Sequence, residues 1–227
     1  MRQEDIVELS QRVVKEREFF KLETKLIDVT TIEPDVKHRE DVWYVSSEVT
    51  FSTHVGTHIE APFHHLKTGV KVADLPVHRL FANLVVLDFS YKKDGEGITL
   101  AEVQRYDSQI KKGDVVFILT DRDRLYGTSE WQASPYTTEE AIRWLIAKEI
   151  ACFGSDAANM EVQGTDYQPV HTALFHAGIP MVESLTNLRA VMGSGYMVVI
   201  LPLPIAELDA SPVRIIAVKK QALREVV

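Results

Sequence analysis

The length, composition and charge of the chain restrict what it can be. With 227 residues and 45% hydrophobic content, one compact domain can bury a substantial core and still contain a pocket. The formal net charge of −8 argues against nucleic acid or an anionic membrane as partner, because an excess of Lys and Arg supplies the affinity for both. Cys152 is the only cysteine, which excludes an internal disulfide, and no apolar run approaches the roughly 20 residues of a membrane span. We therefore expect a cytoplasmic protein.

The first 25 residues alternate charged side chains with apolar ones at helical spacing. The apolar positions are Ile6, Val7, Leu9, Val13 and Val14. The pattern predicts an amphipathic helix over residues 1–25, followed by a single domain over residues 26–227. The helix would pack either on this domain or on a partner subunit, and we expect a homodimer or a homotetramer.

Potential metal ligands are most concentrated in residues 54–65, which contain four of the eight histidines and Glu60. Imidazole and carboxylate groups suit zinc and similar divalent ions, and a catalytic site needs about three protein ligands and an open position. Pro62 would end regular pairing and turn His64 back towards such an ion. Although a lone histidine is usually a surface or core residue, this constellation predicts a metal site.

The geometry of the motif follows from the segment before it. Residues 42–53 are rich in β-branched and aromatic side chains, which predicts an extended chain. If the extension continues, the period of two places His54, His58 and Glu60 on one face. Gly56 would then leave space for the ion between the two imidazoles. A helix would also bring the histidines together, but it would turn Glu60 away.

Further short apolar runs predict the core strands, at residues 84–89, 115–119, 197–201 and 213–218. Helices are predicted to begin near Thr99 and, from a capping-box spacing, at Thr137 to Glu140. The mixture of strands and helices predicts an α/β fold. No repeat or linker marks a domain boundary.

The string HVGTHIEAPFH at residues 54–64 resembles the HxGTHxDxPxH signature of the cyclase family of metal-dependent hydrolases, the kynurenine formamidase and isatin hydrolase group. The resemblance implies a single-domain swivelling β/β/α fold with a mixed sheet core. It implies His54, His58 and Glu60 as metal ligands. It also implies His64 as the catalytic general acid and base.

The family completes its site with a His that is followed twelve residues later by a Glu. His171 and Glu183 have this spacing, so the resemblance implies both as further metal ligands. Residues 171–177 are typical of a short helix closed by Gly178, and residues 179–183 of the entry to a buried strand. A carboxylate at the end of an apolar run is costly to bury without a partner, which a metal would supply. The alternative is a loop-end glutamate that faces water.

Glu60 is the one departure from the signature, which has Asp at this position. In the family this ligand bridges two metals, and the extra methylene moves the carboxylate away from its backbone. The chain would therefore bind one or two ions, and its preferred metal could differ. We expect zinc, with manganese as the alternative.

The loop over residues 120–132 lies where the family shapes its substrate pocket, and its polar and aromatic composition suits a cover for a site. Arg122 would bind a substrate carboxylate, unless it pairs with Asp121 or Asp123 on a solvated loop. Aromatic side chains would line a pocket for a flat ring or pack in the core. The predicted substrate-binding residues are Trp43, Phe63, Arg122 and Trp131.

These features predict a metal-dependent hydrolase that cleaves an amide, such as an N-formyl aryl amide, or a cyclic amide or ester of a small-molecule substrate. His64 would carry the proton from water to the leaving nitrogen. One alternative is a metal-binding protein of the same fold without hydrolytic activity, used for ligand sensing or assembly. Another is an acid/base lyase or isomerase that uses the same metal.

Overall fold

A closed mixed sheet forms the centre of the structure, a computed structural model that describes residues 2–39, 41–165, 167–193 and 195–224. The strands are β1 Ile6–Glu8, β2 Leu22–Asp28, β3 Val45–Phe51, β4 His58–Glu60, β5 Phe81–Asp88, β6 Gly97–Ile98, β7 Val115–Leu119, β8 Tyr136–Thr137, β9 Cys152–Ser155, β10 Met181–Glu183, β11 Tyr196–Pro202 and β12 Ala210–Lys219. The α-helices are α1 Leu100–Val103, α2 Glu139–Ala147, α3 Pro169–His176 and α4 Lys220–Arg224.

Within the described residues, the main sheet has eight strands in the order β1-β12-β11-β5-β7-β9-β10-β4. An additional pairing between β4 and β12 closes seven of these strands into a ring and leaves β1 as an extension of β12. The central steps β5 to β7, β7 to β9 and β9 to β10 are parallel, and the others are antiparallel. The prediction of an α/β, single-domain swivelling β/β/α fold with a mixed sheet core is confirmed.

Strand β5 shows how the two faces of the sheet build two cores. Leu84 and Val86 point to a cluster inside the ring, whereas Val85 and Leu87 point to a second cluster that α2 and α3 cover. Such continuous apolar runs are typical of strands that are buried on both faces. All four predicted core strands are present, as β5, β7, β11 and β12.

The predicted amphipathic helix over residues 1–25 is wrong. Ile6–Glu8 forms β1 antiparallel to β12, and Leu9, which is fully buried, continues this pairing by donating from its backbone N to the carbonyl O of Ile215 at 2.9 Å. Residues 22–25 already belong to β2. The free edge of β12 offers unpaired backbone groups, and pairing with them outweighs a helical periodicity carried largely by β-branched residues with weak helix propensity.

Two local predictions are also corrected. The extended segment before the motif ends with β3 at Phe51, and β3 pairs with β2 in a separate hairpin, which we call the arm. Helix α2 begins one residue later than predicted, because Thr138 is its N-cap and its side chain accepts from the backbone N of Ala141. The predicted start near Thr99 is confirmed, with a capping box between Thr99 and Glu102.

The helices are all short, the longest α-helix among the described residues being the nine residues of α2. None of the helices in the described residues has both the length and the apolar character needed to cross a bilayer.

Candidate metal centre

The pairing of β4 with β10 brings the two distant motifs together. In this antiparallel register Glu183 lies opposite His58, and Met181 lies opposite Glu60. All three residues of each strand are buried. The sheet register therefore places side chains that are about half the chain apart in sequence at one point of the structure.

Four side chains form the floor of the site, and we call them the floor cluster: His58, Glu60, His171 and Glu183. Nε2 of His58 lies 3.4 Å from Oε1 of Glu60 and 3.6 Å from Oε2 of Glu183. Nε2 of His171 lies 3.3 Å from Oε2 of Glu60 and 3.5 Å from Oε1 of Glu183. Each imidazole thus faces both carboxylates.

Several atoms of the floor cluster lack a hydrogen bond within the described residues, although they are fully buried. They are Nε2 of His58, Oε2 of Glu60 and Oε1 of Glu183. Buried polar atoms are normally satisfied, so three convergent orphans require an explanation. A cation bound between them would satisfy all three, and a mixed nitrogen and oxygen donor set suits zinc and related ions. The residues present therefore fit a divalent metal.

His54 joins the floor cluster from a turn and not from a strand, so the predicted two-residue period holds only for His58 and Glu60. Nδ1 of His54 lies 2.9 Å from Oε1 of Glu60. Gly56 has φ of +64°, and a Cβ there would lie 2.4 Å from Cγ2 of Val13. This glycine is required by the left-handed turn and the close approach of the N-terminal segment, and not by space between two imidazoles.

The two floor histidines are oriented by their other ring nitrogens. Nδ1 of His58 lies 2.9 Å from the carbonyl O of Gly56, and Nδ1 of His171 lies 2.7 Å from Oε1 of Glu161. Both contacts are donations when these nitrogens carry the proton, which leaves each Nε2 free towards the site. This arrangement of an imidazole between a metal and an acceptor recurs in metalloproteins.

His64 lies beside this centre because Pro62–His64 forms a 3-10 turn directly after β4. Its ring centroid is 4.7 Å from that of His54. Nδ1 of His64 contacts Oδ2 of Asp209 at 2.9 Å, and Nε2 of His54 contacts the same oxygen at 3.1 Å. The predicted turn at Pro62 is confirmed.

Burial and the neighbouring carboxylates together determine the pKa values of the centre. Burial alone would lower the pKa of His54, but the adjacent Glu60 and Asp209 carboxylates raise it to about 9. Burial opposes the charged form of His171 as well, yet the surrounding carboxylates of Glu161, Glu183 and Glu60 raise its pKa well above the usual value. Burial and the charge of Glu60 raise the pKa of Glu183. The negative carboxylates therefore favour positive charge at this point, as protons or as a metal.

Among the described residues, two overlapping sets of side chains have donor atoms within 4.8 Å of one another. One set is His58, Glu60 and Glu183, and the other is His54, Glu60 and His64. Glu60 belongs to both, which is compatible with a shared ligand between two ions. His64, which the sequence predicts to be the proton carrier, is thus also placed as a possible ligand, and metal content distinguishes these roles.

A cavity of about 550 Å³ opens above the floor cluster. Two of the segments that line it are called the strap (residues 16–20) and the cover loop (residues 126–132), and together they are called the rim. Glu18 fastens the strap by accepting from Tyr126 Oη at 2.7 Å and from the backbone N of Gly56 at 3.2 Å. The cover loop lies within the segment predicted to cover a site.

The structure places the four predicted substrate-binding residues in different environments. Trp131 lines the cavity and packs edge-on against Tyr126. In the described part of the chain, the other three do not line it. Trp43 is 70% exposed on the connection between the strands of the arm, and Phe63 packs under the ammonium of Lys71. Arg122 forms an ion pair with Asp94 and not with Asp121 or Asp123, the two partners considered from the sequence.

Sequence reasoning missed several residues that contact the centre. Asp209 and Glu161 orient its histidines, and Glu18 reaches the site from the segment that was predicted to be helical. In the sequence, each of these three acids resembles an ordinary surface or turn residue, and none has a spacing to a nearby histidine that would indicate a contact. Only Tyr126 carried a signal, because it lies in the polar and aromatic segment that suited a cover.

Comparison with known proteins gives consistent matches. A family model with the description "Putative cyclase" matches residues 7–162. A kynurenine formamidase of Bacillus cytotoxicus is 30% identical over 171 residues, covering 74% of this chain and 78% of the relative.

Solved structures share the fold over nearly the whole length. An isatin hydrolase A from Labrenzia aggregata, bound to benzyl benzoate, has a TM-score of 0.78 and 25% identity, with 93% of this chain and 92% of that chain covered. An isatin hydrolase bound to the product analogue thioisatinate has a TM-score of 0.81 and 22% identity, covering 95% and 93%.

Proposed function

The chain belongs to the cyclase family, and from that premise we propose that it is an enzyme that hydrolyses a carbon–nitrogen bond other than a peptide bond with the help of a divalent metal ion. The observation that carries the proposal is the convergence of three buried, unpartnered donor atoms at the bottom of a cavity. His54 and the floor cluster would hold the metal. When bound, such an ion supplies Lewis acidity, which polarises a carbonyl and lowers the pKa of water.

His64 is proposed to move the proton. Its Nδ1 is engaged by Asp209, so its Nε2 is the atom that can take a proton from the attacking water. The water oxygen bonds to the carbonyl carbon, the carbon–nitrogen bond breaks, and His64 returns the proton to the leaving nitrogen. General acid–base help of this kind contributes about 10²–10⁴ in rate.

The rim supports an aryl substrate. Phe20 lies 5.8 Å from His54 between ring centroids, and Tyr126 and Trp131 face the same cavity. Aromatic walls with a few polar groups are typical of small-molecule pockets and stack well on flat rings. We propose an N-formyl aryl amide or a cyclic aryl amide, which is also in keeping with the formamidase and isatin hydrolase names of the relatives.

Metal identity and number belong to the same proposal. Zinc is the first candidate and manganese the second, because three imidazoles and two carboxylates suit both ions. Glu60 faces His54, His58 and His171, so one or two ions are compatible with its position.

A cytoplasmic homodimer or homotetramer is proposed as the working form. The arm supports association, because it presents apolar side chains to solvent. Those of Leu26, Val45 and Val49 are 40% exposed or more. Light scattering of the purified protein measures the number of subunits.

The experiment is a metal analysis joined to a substrate panel. Protein purified without chelator is analysed for metal by mass spectrometry, then assayed with N-formyl anilides, isatin-like cyclic amides and lactones, with and without added zinc or manganese. We expect bound metal and turnover of an aryl amide with incorporation of ¹⁸O from labelled water. Metal without turnover of any substrate would support a binding protein, and turnover without ¹⁸O would support a lyase or isomerase.

A further inference from the structure

Asp209 is the residue through which the far end of the chain reaches the candidate active site. It directly precedes β12, whose residue Ala210 lies opposite Glu60 in the pairing with β4. The carbonyl O of Asp209 accepts from the backbone N of Ala61 at 2.8 Å, which fixes its main chain beside the motif. The carboxylate is therefore placed by sheet register and not by a mobile loop.

One oxygen of this carboxylate serves two histidines with different roles. Oδ2 lies 2.9 Å from Nδ1 of His64 and 3.1 Å from Nε2 of His54. Oδ1 accepts from Oγ1 of Thr53 at 3.0 Å, which fixes the plane of the carboxylate. An acceptor-only group facing two imidazole nitrogens requires a proton on each of them.

Because of this requirement, the carboxylate determines which nitrogen of each ring stays available. His64 would hold its proton on Nδ1 and present an unprotonated Nε2 to the cavity. His54 would hold its proton on Nε2, which leaves Nδ1, the atom 2.9 Å from Oε1 of Glu60, either to carry a second proton or to bind the metal. A carboxylate that fixes the tautomer of a proton-carrying histidine is a strong determinant of rate in hydrolases.

We propose that Asp209 is the positioning residue of the reaction: it locks His64 in the Nδ1–H tautomer and couples this ring to the ligand His54. The inference rests on the proposed hydrolase function for its kinetic part only. Asp209 is not among the described residues that line the cavity, and it acts through the two histidines.

The first test observes the tautomer without using activity. In ¹⁵N spectra of the zinc-loaded protein at pH 8, the signals of His64 are identified by their loss in His64→Ala. We expect the Nδ1–H form in the wild type and a change to the Nε2–H form, which free imidazole prefers in water, in Asp209→Ala. An unchanged Nδ1–H signal in Asp209→Ala would overturn the proposal.

The second test is a double-mutant cycle at saturating zinc. We expect Asp209→Asn to lower kcat about 10- to 100-fold with KM within about twofold, the usual loss when the partner of an active-site histidine is removed. In a His64→Ala background the same substitution should change kcat by less than about twofold, because its effect passes through His64. Equal losses in both backgrounds would contradict this coupling.

Glu207→Gln is the matched control, since it removes a carboxylate from the same connection, where Glu207 pairs with Lys71 at the surface. Its kcat, tautomer signal and zinc content should equal those of the wild type. If the wild type hydrolyses no substrate of the panel, the proposed function fails, while the tautomer measurement still decides the role of Asp209.

Discussion

The floor and the rim of the cavity are built on different principles. The floor cluster lies on β4, β10 and the first turn of α3, and its side chains are nearly inaccessible, with His58 3% and Glu183 6% exposed. The rim consists of the strap and the cover loop, which lie outside the main sheet, and Phe19 and Phe20 of the strap are 76% and 45% exposed. A register-fixed floor suits chemistry that depends on geometry, whereas an irregular rim suits the choice of substrate.

The largest effect is expected from removing a floor ligand. His58→Ala should lose bound metal and reduce hydrolysis to background, because it removes a buried donor atom and leaves two carboxylates facing each other. Metal analysis and kcat/KM on one preparation measure both effects. His78→Ala, at an exposed position, is the control. Full metal content and activity in His58→Ala would remove the basis for the site.

A smaller loss is expected from the residue between floor and rim. His64→Ala should keep its metal and lower kcat about 10²–10⁴-fold, because only proton transfer is removed. Added imidazole should restore part of the rate by entering the space of the side chain. Loss of metal in this variant would instead reassign His64 as a ligand, as its distance to Glu60 and His54 allows.

At the rim, Glu18→Gln should raise KM about threefold to tenfold and leave kcat and metal content unchanged. The substitution replaces a charged acceptor of Tyr126 and Gly56 by a neutral one, and hydrogen bonds to charged groups contribute about 1.5–3 kcal/mol. Steady-state kinetics on the best aryl amide measure the change, with Glu23→Gln on the exposed face of β2 as control. A fall in kcat with unchanged KM would place the strap in the chemical step.

The smallest effect concerns stability against pH. The pKa of His54 is raised to about 9, so the folded chelator-treated protein binds this proton more tightly than the unfolded chain. The resulting stabilisation is complete below pH 6.5 and is lost as the pH rises through 9, so the Tm should fall over this interval. Zinc should reverse the trend, because metal replaces the proton. His54→Ala should flatten the chelator-treated profile, and a profile unchanged by this substitution would contradict the pKa assignment.

Local signals were sufficient where a residue's neighbours in sequence decide its structure. The apolar runs gave the core strands, and Gly178, at φ +68°, follows helix α3 as predicted. They were insufficient for residues 1–25, where the periodicity predicted a helix but Ile6–Glu8 instead pairs with the edge of β12. They also gave no indication of where Trp43 and Arg122 lie, because the exposure or partner of each side chain depends on chain segments distant from it.

The sequence by itself predicted the donor set of the candidate metal centre, because residues 54–64 resemble the cyclase signature and His171 and Glu183 have the spacing that the family uses. Only the tertiary structure decided which further acids orient that set and which segments wall the cavity. The physical reason is the register of a closed sheet: pairing β4 with both β10 and β12 brings Glu183 and Asp209 to the motif, and no pattern within either segment encodes that pairing.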